Sequence, residues 1–406
     1  MTNNLLRDSW ADLDSDELRV LLNERIEGLG QYDNRSNNPN KLHLPLAGSS
    51  CRISLTFHGK KIVAIEPGPA FDAAEWRRLS QEIEKSILAG PMKVGRDYSF
   101  CSFRVCGFWR GQRSGLQILP PPDDVPRASV ELAEHPFILE FPIRESGLWS
   151  VTNHRRMREH RKLTLLLNVL LAGRTNLQPR RPNHFWASVP RNNGHEVKWV
   201  QQIFFAMLGD AVINELSPPV GEKLEDVDPN EYYTMVGHDG KGLRVPADLD
   251  QSICHYLDLS PSNRARFDRA TFWMDMASRQ WNVSVSSSFA SLVSAVESLT
   301  DRGATHRIYC EECNGDRDHE VPGATERFRA FFDKYAAGGA LRERRSKMYS
   351  VRSGILHGSD LMQFDQDLAF GWDPPWWNEY ELHEELWVLT RIALRNWLKD
   401  PNSSAA

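Results

Sequence analysis

The stretch 340–358, "ALRERRSKMYSVRSGILHG", decides how the second half of the chain folds. Met348, Val351 and Ile355 follow one another at three- and four-residue intervals, the spacing of one helix face, and Gly358 supplies a stop. Outward from it the same period recurs. "ADLDQSICHYLDL", "SPSNRARFDRATFWMDMASRQW", "SSSFASLVSAVESLTD", "GATERFRAFFDKYA" and "NEYELHEELWVLTRIALRNWLKD" are helical segments divided by Ser-Pro or Gly punctuation. Strand signals fade from about residue 246, and the succession of punctuated helical segments predicts an up-and-down all-α bundle over 246–400.

The first 245 residues mix periods. "SDELRVLLNERIEGLG" (15–30) and "FDAAEWRRLSQEIEKSILAG" (71–90) read as helices, and "CRISLTFHGKKIVAIEPG" reads as two strands around His58-Gly59-Lys60. Further strand-like runs stand at 98–109, 114–119, 137–143 and 196–205. A helix at 152–173 is basic in its first half and apolar in its second. The expected fold class is therefore an α+β domain over 1–245, of sensory or regulatory role, followed by the helical bundle. The boundary is expected in "SPPVGEKLEDVDPN" (217–230) or just after "GHDGKG" (237–242).

A chain of 406 residues with 41% hydrophobic and 25% charged residues and a net charge of −5 is neither disordered nor uniformly basic, so nucleic acid would meet it at a local patch. The apolar run "LTLLLNVLLAG" is too short to span a bilayer and the N-terminal residues lack a leader pattern, which gives a cytoplasmic expectation with no membrane partner. Six cysteines in a chain this long make no disulfide framework. The sequence also lacks GxxxxGK[ST], GxGxxG, HExxH and GxSxG motifs, which leaves ATP hydrolysis, nicotinamide chemistry, zinc proteolysis and serine hydrolysis without support.

Arg352 and His357 are the chemically suggestive pair. Five helical positions turn through roughly 500°, leaving the two side chains about 140° apart. They do not share a face as residues i and i+4 do. His357 instead lies over Ser353 and Gly354 in the last turn, where the helix dipole favours positive charge. A histidine to carry protons beside a guanidinium to hold phosphoryl oxygens is an equipment for phosphodiester cleavage. Glu297, on the preceding "SAVESLT" helix, either holds Arg352 or orients His357, or is an exposed helical glutamate. The hydroxyls of Tyr349 and Ser353, each about one turn before one of the pair, could meet a phosphate, with core packing the alternative for Tyr349.

"RSGILHG", preceded by the basic "LRERRSKMYSV" helix and by "SSSFASLVSAVESLT", resembles the HEPN superfamily, specifically its Apea-like group, over roughly residues 250–400. The signature there is an arginine and a histidine separated by four to six residues on a late helix of an all-α bundle, and Arg352 and His357 match it with four between. The resemblance implies a metal-independent endoribonuclease. Two subunits join their motifs, the RNA 2′-hydroxyl attacks the adjacent phosphate and a 2′,3′-cyclic phosphate results. It implies RNA and a second copy as partners, no cofactor in catalysis, and a toxin or antiviral-defence role with an antitoxin or activating ligand. Ser353 follows the arginine where the superfamily often has Asn, Asp or His, although the Apea-like group commonly shows this Arg-Ser form. The alternative is a non-catalytic module that dimerises or binds nucleotide or RNA.

Three other features stay open. Cys310 and Cys313 have the two-residue gap of a zinc knuckle, with His306 and His319 near in sequence to complete a structural zinc set; the other reading is a loop with two reduced cysteines. The basic run Arg342, Arg344, Arg345 and Lys347 could extend a positive groove for RNA, and "HRRMREHRK" (154–162) could do the same or be a solvated face. Trp376 and Trp377 suit either base stacking or packing.

Overall fold

The computed structural model describes residues 15–25, 40–45, 52–59, 61–67, 72–74, 76–78, 80–81, 90–122, 135–171, 175–176, 184–191, 194–201, 208–234, 242–281, 283–301, 304–310, 315–337, 344–366 and 374–401. Two compact units share the chain. The first takes Met1–Asp97, Glu140–His160 and Leu208–Ser217, the second Tyr98–Leu139, Arg161–Met207 and Pro218–Ala406. No helix among the described residues is long and apolar enough to cross a membrane.

In the first unit, helix α1 (Ser15–Arg25) and the antiparallel strands β1 (Lys41–Pro45), β2 (Arg52–His58) and β3 (Lys61–Pro67) close one apolar core. Leu18, Leu21 and Leu22 of α1 meet Leu44, Ile53, Leu55, Ile62 and Ile65; the last two stand three residues apart on either side of a register shift in the β2–β3 pairing. Gly59, at φ 59°, makes the β2–β3 turn. Strands β4 (Met92–Cys101) and β7 (His135–Arg144) and helix α2 (Trp149–Leu170) each begin in one unit and end in the other along the chain, and β11 (Val212–Ile213) pairs with the first half of β4.

Several cations in the basic half of α2 are taken up in ion pairs, while Arg161 stays exposed. Arg155 and Arg158 grip the buried Glu17 of α1 at 3.0 and 2.8 Å, and Arg156 pairs with Asp97. His160 is buried, stacked on Phe141 at 6.0 Å and 3.6 Å from Asp97. Burial pushes its imidazole down to about 4, against the pull of Asp97 and with help from Arg156.

The second unit holds short pairs β5 (Trp109–Arg110) with β6 (Gln117–Leu119), β8 (Thr175–Asn176) with the end of β4, and β12 (Asp226–Val227) with β13 (Val245–Pro246). It also holds two hairpins, β9 (His184–Arg191) with β10 (Gly194–Gln201), and β14 (Ala304–Cys310) with β15 (Gly315–Val321). Its helices after α3 (Pro229–Thr234) are α4 (Leu249–Leu257), α5 (Pro261–Gln280), α6 (Val285–Glu297), α7 (Ala324–Tyr335), α8 (Arg344–Leu356), α9 (Gln363–Gln366) and α10 (Pro374–Lys399).

Helix α6 is the centre of this assembly. Its Ser- and Ala-rich sequence is buried along nearly its whole length, and small side chains let α5 and α10 approach closely. The hydroxyls stay satisfied: Ser288 Oγ donates to the Ala277 carbonyl at 2.8 Å, and Ser291 Oγ to Gln280 Oε1 at 2.7 Å. Ser260 and Ser284 cap α5 and α6, as their Ser-Pro and Ser-rich starts predict. His383 of α10 is buried 2.9 Å from Ser288 Oγ and 4.4 Å from the Trp281 ring.

The all-α expectation for 246–400 is overturned by the β14–β15 hairpin, seven paired residues on each side, inserted between α6 and α7. The architecture is mixed α/β throughout. The hairpin escaped the strand reading because charges occupy it: Arg307 faces Asp318 and Thr305 faces Glu320 across the register. One cross-strand charge pair, with Arg317 and Glu320 besides, stands where β-branched runs usually announce a strand.

Candidate active site

Helix α8 presents the singled-out residues, and its end explains the two glycines. The Gly358 N–H donates to the Ile355 carbonyl at 3.1 Å and the Ser359 N–H to the Gly354 carbonyl at 3.0 Å, while Gly358 takes φ 70°. These are the paired bonds of a Schellman cap, which places His357 at the last half-helical position. At Gly354 a Cβ would come 3.0 Å from the Asp360 Cβ, so a side chain there would crowd the returning turn. The motif's glycines therefore shape a tight reversal immediately after the histidine. His357 is exposed within it, its backbone N–H donating to the Ser353 carbonyl at 3.0 Å.

One turn earlier the side chains converge. Arg352 Nη2 donates to Glu297 Oε2 at 2.7 Å, and the Tyr349 hydroxyl donates to Glu297 Oε1 at 3.0 Å. Glu297, the last residue of α6, thus receives two donors from α8. The guanidinium lies 5.5 Å over the Tyr349 ring, whose other neighbour is Phe328 of α7 at 5.4 Å. Burial pushes the Tyr349 phenol up, the Glu297 charge and hydrogen bond push it further, and Arg352 and Arg327 oppose. The phenol is thereby kept as a donor. Arg352 Nε is buried with no acceptor among the described residues. The arginine is held on one side by a carboxylate, with 20% of its side chain exposed.

The basic run divides. Arg345 is 1% exposed: it pairs with Asp333, donates to the Ala336 carbonyl at 2.8 Å and lies 5.8 Å over the Phe332 ring. It is a structural cation, and the expectation that it faces RNA is corrected. Arg344 is spent on α10, paired with Glu385 and 3.6 Å from Glu381. Lys347 is exposed, Ser353 is partly buried, and Arg342 lies outside the described residues.

The expected zinc residues sit in the β14–β15 hairpin. His306 pairs with His319 in the register, and Cys310 pairs with Gly315 at the end of the strands. Cys313 lies outside the described residues. A four-residue step along a strand is about 13 Å, so the register sets the histidine pair and Cys310 at different levels of the hairpin. Trp376 and Trp377 fall in the first turn of α10.

The expected holding of Arg352 by Glu297 is present, no side-chain contact among the described residues joins His357 to them, and the sequence did not reveal what Tyr349 does, nor Arg327 and Phe328 of α7 beside it. Tyr349 stands three residues before Arg352, the one available signal. Comparisons with family models, with curated proteins and with solved structures found no match.

Proposed function

We propose that the second unit carries a metal-independent endoribonuclease site of HEPN type, acting in the cytoplasm on RNA. The observation that carries this reading is the joining of Glu297, Tyr349 and Arg352 on one carboxylate, one turn from a histidine left exposed by a glycine-shaped cap. In the reaction His357 takes the proton of a 2′-hydroxyl, the 2′-oxygen forms a bond to the adjacent phosphorus, and the bond to the 5′-oxygen breaks. A 2′,3′-cyclic phosphate and a 5′-hydroxyl result, the latter receiving a proton. Arg352 holds the phosphoryl oxygens as charge grows on them, and Glu297 fixes the guanidinium. Ser353 and Lys347 would meet the RNA backbone.

Attack and departure occur on opposite sides of phosphorus, so the base and the acid stand on opposite sides too. One His357 cannot serve both at once; a second copy of the chain supplies the other. Leu356 and Leu361, which bracket the histidine, are 53% and 48% exposed, apolar area suited to burial between copies. A toxin or antiviral role, with an antitoxin or activating ligand, extends the same reading. Any zinc at the hairpin would be structural and outside the chemistry.

The test is cleavage of total RNA and transfer RNA by the full chain in EDTA, with the fragment ends analysed for cyclic phosphate. Arg352→Ala and His357→Ala are each expected to lower the rate on the order of a hundredfold or more. Equal cleavage by wild type and both variants refutes the assignment. The second reading, a non-catalytic dimerisation or RNA-binding module, draws on the same Glu297–Arg352 ion pair taken as a tie between α6 and α8. It predicts binding without cleavage.

A further inference from the structure

We propose that Tyr349 is a positioning residue of this site, locking the Glu297 carboxylate so that the Arg352 guanidinium is presented to the phosphate in one orientation. The inference rests on the ribonuclease reading above and adds to it a residue with a separable effect.

Four contacts argue for it. The Tyr349 hydroxyl and Arg352 Nη2 occupy different oxygens of Glu297, at 3.0 and 2.7 Å. A carboxylate held by one donor can rotate about its terminal torsion, whereas one held at both oxygens cannot. The guanidinium is also stacked over the Tyr349 ring, so the same residue restrains the arginine from its face and, through Glu297, from its edge. Phe328 packs on that ring and holds it. Tyr349 and Arg352 are three residues apart on α8, so the helix itself sets their spacing. A guanidinium fixed in this way holds the N–H groups that Glu297 does not take in one orientation, which suits the planar two-point recognition of a phosphoryl group. Tyr349 itself need not touch RNA.

The experiment uses the full chain and an RNA oligonucleotide with a single cleavage site. Tyr349→Phe removes the hydroxyl and leaves the ring against Phe328 and Arg352. It is expected to lower kcat about tenfold, the loss of one hydrogen bond to a charged group, with KM and the unfolding temperature nearly unchanged. In a Glu297→Gln background the same substitution is expected to change kcat less than twofold, because the carboxylate through which it acts is gone. Wild-type kcat in Tyr349→Phe overturns the proposal. So does an equal loss in both backgrounds, or a rise in KM alone, since either marks a role other than orienting Arg352. Arg352→Ala, run in parallel, separates the two levels: if it cleaves like wild type, or if the wild type does not cleave, the ribonuclease site falls and this proposal with it. Lost cleavage in Arg352→Ala with an unaffected Tyr349→Phe removes the positioning role alone.

Discussion

Replacing Arg345 by alanine tests whether this residue belongs to the fold or to an RNA surface. In the structure its guanidinium is enclosed by Asp333, the Ala336 carbonyl and the Phe332 ring, with 1% of its surface exposed. Truncation removes the Arg345 partner of Asp333 and leaves the Ala336 carbonyl without that donor. Breaking a fully buried ion pair costs about 3–5 kcal/mol, but the Asp333 side chain is 36% exposed and water recovers part of that. The lost carbonyl bond and the cavity add to it, so a destabilisation of about 3 kcal/mol is expected. For a unit of this size that corresponds to a fall of about 6–12 °C in unfolding temperature. Thermal unfolding followed by circular dichroism measures it, with Lys347→Ala as the exposed control, expected within about 0.5 kcal/mol of wild type. RNA binding should reverse the order, with Lys347→Ala weakened and folded Arg345→Ala retained. An Arg345→Ala protein that melts with the wild type and binds RNA more weakly refutes the assignment of Arg345 to the core.

Gly358→Ala places a Cβ at φ 70°, which costs about 1 kcal/mol, and disturbs the cap that presents His357; urea unfolding reads the first effect and RNA cleavage the second. Unchanged values in both assays would mean the cap does not set the histidine. His160 gives a pH signature. Its folded-state value of about 4 lies below the ordinary 6.5, so the unfolded chain binds more protons between those limits. Stability contributed by neutral His160 is complete above pH 6.5 and falls as pH drops toward 4, by on the order of 3 kcal/mol in all. Urea midpoints at pH 7 and pH 5 should converge in His160→Gln relative to wild type, and an unchanged pH slope contradicts the buried neutral imidazole.

The helices were legible because their apolar spacing, Ser caps and Gly stops agree with one another. The predicted 260–281 segment and the observed Pro261–Gln280 differ only at the ends. The β14–β15 hairpin was not legible, since Arg307, Asp318 and Glu320 put charge where strands usually show branched apolar residues. Of the site, Arg352 and His357 could be read from their order, while the bond from Tyr349 to Glu297 joins residues 52 apart and no local pattern contains it. The basic run misled for a physical reason. Lys and Arg both count as charge, but Arg345 precedes Met348 by one helical turn and shares its buried face. The apolar stripe, followed through the arginine, would have placed it inward.

The two ends of the motif segment are fastened to the two ends of one helix. Tyr349 and Arg352 are tied to Glu297 at the C-terminus of α6. At its N-terminus, Met362 N–H donates to Ser286 Oγ at 2.8 Å, and Asp365 accepts from the Val285 and Ser286 N–H groups at 3.0 and 2.8 Å and from Ser284 Oγ at 2.8 Å. Those bonds hold the Asp365 carboxyl below its ordinary range, although burial works against them. A carboxylate at a helix N-terminus also answers the dipole. Thirteen helical residues span about 18 Å, and the turn bearing His357 is the stretch between the anchors. Its ends are fixed by charge-assisted bonds while Leu356, His357, Gly358, Ser359, Asp360 and Leu361 between them are all exposed. A rigid base under an open turn leaves the histidine exposed, and on the proposed reading this is where a second chain and RNA would reach it.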